Sequence, residues 1–387
     1  MTRPSGVMSK RRGMIRLFEV MLKMVMSRTL WVAPFALLSL VLALSHCAVL
    51  AGDVNIGTFS IVAFDPVTME LGVAVQSRAF GVGAAVAWAE AGVGAIATQA
   101  STNESFGPEG LALLRSGKTS KQVLDLLLAS DEGREDRQLA VIDTDGTGVN
   151  HTGSRCLDWA GGLTGEAFAC QGNILVSEEV VKAMAAAFKE TEGELSLKLL
   201  ATLVAAQAAG GDKRGMQSAA ILVVRPSEEH PEYNYRYVDL RVEDHADPIN
   251  ELIRVYRIHE GSDLLRAHTR YAAHYDSLGD EEMAARERGL VGATLKRVLS
   301  EETDDADLLN SLAWFCATAD MFIAEAVVAA ERAVALSPDD ANILDTLAEA
   351  YFRDGRPGEA VATIKRAIQI DSESAYFREQ LERFEAP

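Results

Sequence analysis

Residues 57–77 carry two alternating runs joined by a tight turn, which commits this part of the chain to a β-sheet. In Gly57-Thr58-Phe59-Ser60-Ile61-Val62-Ala63-Phe64-Asp65-Pro66, Phe59, Ile61 and Ala63 alternate with Ser60, Val62 and Phe64, and Asp65-Pro66 marks the turn. Leu71–Ser77 reads as the returning strand of a hairpin. Thr58 opens the first strand directly after a glycine. A cut at Gly57-Thr58 would put a hydroxyl and an α-amine on one residue. Such an amine titrates near pH ~8 and can take the hydroxyl proton. The competing reading is an ordinary β-branched strand residue.

Further along, strands are expected at Gly92–Ala97, Leu139–Asp143, Gly148–His151, Ser218–Arg225 and Tyr235–Val242. Helical spacing appears over Gly107–Ser116, Ser120–Leu128 with Ser120 as its cap, Ser177–Lys189, and Leu195–Gln207, which Gly210-Gly211 ends. Strands in succession with paired helices between them fit layered sheets with helices outside. Asp247-Pro248 opens a helix through His259, and two more helical stretches reach about Leu299.

An internal repeat follows. Glu331–Leu336 matches Lys365–Ile370 at an offset of 34, and Leu312-Ala313 matches Leu347-Ala348 at 35. Ala313, Ala326 and Ala333, with Ala348, Ala360 and Ala367, sit where two helices cross closely. Pattern and period resemble the tetratricopeptide repeat. Such arrays form concave peptide-binding surfaces. Dimerisation, or shielding of the first domain, is the other use of such a tail.

Residues 30–51 form an uncharged apolar run with basic residues upstream, and Val49 and Ala51 suit a signal-peptidase site. We expect a signal peptide over 1–51, with Met26 as an alternative true start, and an exported protein, periplasmic or extracellular. An uncleaved membrane anchor is the competing reading, since ~20 apolar residues span a bilayer. Seven of the 37 basic and one of the 56 acidic residues lie in the first 51 positions, so the rest carries 30 against 55, a net charge of −25. Such a surface repels phosphates, and a nucleic-acid role is rejected. An exported chain meets an oxidising compartment, so a disulfide between Cys156 and Cys170 is set against two buried thiols. Neither the cysteines nor the seven histidines are spaced as a metal site, and no metal or cofactor is expected.

Five ordered segments carry a resemblance: TFSIVAFDP, LGVAVQSRAFGVGAAVAWAEAGVGAIATQASTNESFGPEGLALL, HTGSRCLDWAGGLTGEAFACQGNILVSEEVV, AAQAAGGDKRGMQSAAILVV and YVDLRVEDHADPINELIRVYRIH. From Thr58 to about Glu260 the chain resembles the bacterial domain of unknown function 1028 family, which has an N-terminal-nucleophile (Ntn) hydrolase-like fold. The resemblance implies an α+β, four-layer αββα sandwich, here followed by an all-α tail. The expected layout is a 52–57 leader, an Ntn-like domain over 58–260, a helical linker or degenerate repeat over 261–300, and repeats with a capping helix over 301–387.

The same resemblance implies a nucleophile position, and Thr58 matches it. Ser60 is the fallback. Arg78, at the end of the second strand, is the cation that would lower the nucleophile's pKa, or a surface ion-pair partner. Asn173 and Asn103 are the amide candidates for an oxyanion hole, or turn formers. Asp212 and Arg214, in a glycine-flanked charged loop, are expected near the pocket. In many relatives the Thr-Phe-Ser segment begins the chain. Here Gly52–Gly57 precede Thr58, so a second cut at Gly57-Thr58 is required. The expected function is amide hydrolysis on a peptide or acyl-amide, with a protein partner held by the repeats and homo-oligomerisation left open. The alternative is a catalytically silent binding module whose repeats recruit an envelope protein.

Overall fold

The computed structural model describes residues 57–226, 236–300 and 303–386. The expected signal segment over 1–51 and all of the leader except Gly57 lie outside the described residues. No helix among the described residues is long and apolar enough to cross a membrane.

The hairpin forms as its alternation demands. β1 (Thr58–Asp65) pairs antiparallel with β2 (Glu70–Ser77), and Thr58 faces Ser77. Asp65 Oδ1 accepts from Val67 N at 2.8 Å and closes the turn. The other edge of β1 pairs with β8 (Phe168–Asn173), where Thr58 faces Asn173. With β7 (Gly161–Gly165), β9 (Ser218–Val224) and β10 (Arg236–Val242) they make a six-stranded sheet in the order β10-β9-β2-β1-β8-β7. A second sheet holds β3 (Ala87–Glu90), β4 (Gly94–Ala100), β5 (Arg137–Asp143) and β6 (Gly148–Thr152) in chain order. The expected strand over Gly92–Ala97 thus runs from Gly94 to Ala100.

Alternation then sorts side chains into layers. Phe59, Ile61 and Ala63 face the helices α4 (Glu179–Glu190), α5 (Leu195–Ala208) and α6 (Pro248–His259). Val62 and Phe64 face Ala95, Ala97, Ala140 and Ile142 of the second sheet. Ile96, Leu139 and Val141 point outward onto α2 (Phe106–Arg115) and α3 (Ser120–Ser130). The result is an αββα sandwich, with a short α1 (Val82–Val86) at one end of the inner layer. Each fully buried Leu, Ile or Phe adds roughly 1.5–3 kcal/mol to this stack. Thr119, not Ser120, caps α3: its hydroxyl accepts from Gln122 N while Gln122 Oε1 accepts from Thr119 N.

The first domain does not end at 260. α6 runs through a π-helical turn (Glu260–Leu264) straight into α7 (Leu265–Leu278), so the expected boundary falls inside a continuous helix. α8 (Glu281–Ser300) returns beside it. Leu264, Ala267 and Tyr271 join the core under the six-stranded sheet, whereas Leu265, Val291 and Leu295 join the core of the repeats. Of the two readings of 261–300, linker or degenerate repeat, the stretch has the helix pair of a repeat, and its residues are shared by both cores. α9 (Ala306–Thr318) with α10 (Ile323–Leu336), and α11 (Ala341–Arg353) with α12 (Pro357–Ile370), are the two repeats, and α13 (Ala375–Glu385) follows them. All six alanines singled out for close crossings have 0% exposure.

A buried ionic network joins the halves. Arg225, 1% exposed at the end of β9, reaches Glu287 Oε1 of α8 at 2.6 Å and Glu70 Oε1 of β2 at 3.4 Å, and lies 3.7 Å from the Tyr271 ring centroid. His268 of α7 lies 2.8 Å from Glu287 and 3.2 Å from Glu194, which precedes α5. Burial pushes the Glu70 carboxyl up to about 8 against the pull of Arg225. Burial pulls the His268 imidazole down, but hydrogen bonds to Glu194 and Glu287 outweigh it and leave it at about 9.

The expected Cys156–Cys170 disulfide is not formed. Cys170 lies on the face of β8 turned to α4, and its thiol is directed at the carbonyl oxygens of Leu163 and Val181. The Cys156 thiol is directed at Arg137 O, at 3.4 Å. Burial pushes Cys170 up to about 12 and also raises Cys156, so both stay thiols.

Candidate functional site

At one end of the sandwich the layer between the sheets changes from apolar to polar. The faces that bury Val62, Ala97, Ala140 and Ala169 continue into Ser60 and Thr58 on β1, Gln99 on β4, Gln138 on β5, and Gln171 and Asn173 on β8. All six are at most 2% exposed. Buried polar groups need partners, and here they supply each other. Ser60 Oγ donates to Gln99 Oε1 at 2.6 Å. Gln99 Nε2 donates to Gln138 Oε1 at 2.7 Å and to Thr58 O at 3.2 Å. Gln138 Nε2 donates to Gly172 O at 2.8 Å. Gln171 Oε1 is the buried acceptor left without a protein partner.

Thr58 sits at the end of this layer. Its Oγ1 donates to Ser77 Oγ at 3.0 Å, and Ser77 Oγ donates to Gly57 O at 2.5 Å. Arg214 Nη2 donates to the same carbonyl at 2.8 Å. Asp212, whose side chain is 0% exposed, holds Arg214 in place: Oδ1 accepts from Arg214 N at 2.9 Å and Nε at 3.1 Å, and Oδ2 accepts from Nη2 at 2.7 Å. Gly57 is pressed on this pair. A Cβ there would lie 2.7 Å from Asp212 Oδ2 and 2.9 Å from Arg214 Nη2. Backbone strain collects beside the cluster. Ala100 (φ 70°) follows Gln99, and Ile174 (φ 53°) follows Asn173. Left-handed backbone costs an L-residue roughly 1–2 kcal/mol.

The expected residues are thus partly assembled. Thr58, Asp212 and Arg214 come together. Asn173 faces Thr58 across the ladder, but its Nδ2 donates to Gln138 Oε1 at 3.0 Å rather than to the Gly57 carbonyl. Asn103 is a turn former: its Oδ1 accepts from Ser105 N at 3.2 Å, and its side chain bonds Asp131. Arg78 contributes through its backbone, donating N–H to Asp212 Oδ2 at 3.3 Å. Its exposed guanidinium reaches Met216 O at 3.4 Å and makes no bond to Thr58. Ser77 and the three glutamines are additional. Each is a polar residue on a strand face that is apolar further in, and that shared placement was the available signal. Among the described residues no group of three or more His, Cys, Asp or Glu could hold a metal ion.

The model of DUF1028, a family of unknown function, matches residues 58–252, starting at Thr58 itself. This chain belongs to the DUF1028 family. A Silicibacter pomeroyi protein carrying the DUF1028 family-model label is 33% identical over 52% of this chain and 89% of its own, with a TM-score of 0.48. Tetratricopeptide domains are similar to the tail at lower identity. That of Aspergillus fumigatus Sgt2 is 19% identical over 29% of this chain and 76% of its own, TM-score 0.23. The second such domain of human RPAP3, solved with an HSP70 peptide, is 13% identical over 32% and 97%, TM-score 0.23. No curated protein matches the chain.

Proposed function

We propose that this DUF1028 protein is an exported amide hydrolase of the Ntn type, acting on a peptide or acyl-amide through Thr58 once the Gly57-Thr58 bond is cut. One observation carries the reading: the hydroxyl of Thr58 and the carbonyl of Gly57 lie in one hydrogen-bonded group with Ser77 and Arg214. Such a group supplies a nucleophile and, beside it, donors aimed at a carbonyl oxygen. A freed α-amine titrating near pH ~8 then serves as the base. Export rests on the apolar run and the Val49/Ala51 pattern of the sequence. The helical repeats recruit a protein partner, since stacked helix pairs present a continuous concave face.

The test is N-terminal sequencing of protein recovered from cells, joined to hydrolysis of a panel of peptides and acyl-amides. Thr58 at the terminus, activity in the wild type and none in Thr58→Ala support the reading. Full activity in Thr58→Ala sinks it. A chain that keeps Gly57-Thr58 and hydrolyses nothing favours the silent binding module, a reading that the peptide bond on the Thr58 nitrogen supports.

A further inference from the structure

At the far end of β1 from Thr58 the sandwich carries a cleft that the proposed chemistry does not use. Asp65 closes β1 seven residues beyond Thr58, which is roughly 23 Å away at strand spacing. The cleft there has a volume of about 480 Å³, within the range of small-molecule sites. Four segments make it: the β1–β2 turn, the β7–β8 turn, the last turn of α4 and the first turn of α5. Phe64, Phe188 and Leu195, all at most 6% exposed, form its apolar wall, and Val67 lines it from the turn at 58% exposed.

Two lysines line the same cleft. Lys189 Nζ lies 5.6 Å from the Phe168 ring centroid and Lys198 Nζ 5.4 Å from that of Phe188, and the two rings are 5.0 Å apart. A ring face attracts an ammonium and holds it, but does not neutralise it. Among the described residues neither lysine has a carboxylate partner, whereas Lys121, Lys182 and Lys365 each have one. The acids of the cleft do not fill that role. Asp65 accepts from Val67 N at 2.8 Å and lies 3.8 Å from Arg286, and the exposed Glu166 makes no ion pair with either lysine. The protein as a whole is acidic, but at physiological salt charges beyond ~8 Å are largely screened. The two ammoniums therefore set the local potential.

We propose that this cleft binds a small amphiphilic carboxylate, of which a medium-chain fatty acid is the simplest case. Its apolar body lies against Phe64, Phe188 and Leu195, and its carboxylate meets Lys189 and Lys198. Wall and charge select together. A neutral chain leaves the ammoniums unmet, an inorganic anion gains nothing from the wall, and a cation is repelled. The site is separate from Thr58 and does not depend on Thr58 being a nucleophile.

The experiment is isothermal titration of the purified full chain with decanoate, kept below its micelle concentration. One decanoate should bind per chain. Affinity should rise about 2- to 4-fold for each methylene added from hexanoate to decanoate, the gain expected from a partly to fully buried CH₂. Decanol should bind about 10-fold more weakly, and decyltrimethylammonium should not displace decanoate. Lys189→Met and Lys198→Met keep a long apolar stem without the charge, and each should weaken decanoate about 5- to 10-fold. Lys198→Arg should keep most of the affinity. Val67→Glu brings a carboxylate to the cleft at an exposed position and should weaken decanoate about 10-fold or more. Thermal melts check that each variant folds, and Val67→Glu carries the test should the lysine variants not fold.

Undiminished binding in all three of Lys189→Met, Lys198→Met and Val67→Glu overturns the proposal. So does equal affinity for decanoate and decanol, or several decanoates per chain whose uptake ignores the variants. Absence of binding at about 1 mM decanoate, the weak end of specific affinity, overturns it as well.

Discussion

Replacing Glu287 by alanine should destabilise the sheet domain, although Glu287 lies on α8, beyond the segment that matches the family. Glu287 has 0% exposure, and its two oxygens take Arg225 at 2.6 Å and His268 at 2.8 Å. Glu287→Ala leaves a buried guanidinium and a buried imidazolium one carboxylate short. Breaking a buried pair this way costs about 3–5 kcal/mol. Two responses limit the loss. Glu70, 3.4 Å from Arg225 and held up to about 8, can ionise to replace the missing charge. His268 keeps Glu194 at 3.2 Å. The expected loss is therefore at the lower end, ~3 kcal/mol, against a total stability of about 5–15 kcal/mol for a typical domain. Urea unfolding read by tryptophan fluorescence measures it, since Trp88 and Trp159 lie in the sandwich and Trp314 in the tail. Glu287→Gln should lose less, because an amide keeps one acceptor. A loss below about 1 kcal/mol, or unfolding confined to the tail, would refute the view that this carboxylate ties the halves together.

Three further outcomes are expected. Stability should fall as pH rises from about 6.5 to 9: His268 and Glu70 both have folded values above their ordinary ones, so each binds its proton more tightly in the folded state, and that advantage disappears with alkali; a urea midpoint that is flat over this window contradicts it. A chain ended at 260 should fail to fold, since it lacks His268 and Glu287, whereas one ended at 300 should keep a cooperative sheet domain; circular dichroism with urea titration compares the two. If the substrate's acyl group takes the place of Gly57, glycyl amides should be hydrolysed at least 10-fold faster than L-alanyl amides, because a Cβ at that place meets Asp212 at 2.7 Å; equal rates count against it.

What the sequence determines by itself is what repeats locally. Phe59, Ile61 and Ala63, alternating with Ser60, Val62 and Phe64, announce a strand, and the 34-residue offset between Ala333 and Ala367 announces stacked helix pairs. Glycine before threonine at 57–58 marks the place where chemistry is expected. β7 escaped because Gly-Gly-Leu-Thr-Gly has almost no alternation to read. The tertiary structure decided which polar residues meet. Arg214 reaches Gly57 across 157 residues of chain, and Gln138 joins Gln99 across 39, because the strand order and the stacking of the two sheets bring them to one end of one layer. Asn103 and Asn173 looked alike as amides, yet a turn consumed the first and a neighbouring glutamine the second. Cys156 and Cys170 are close in sequence, but one thiol is directed at the Arg137 carbonyl and the other lies under α4. Periodicity is written residue by residue. A hydrogen bond between distant strands depends on register and on which face each strand turns inward, and only the folded sheet order settles both.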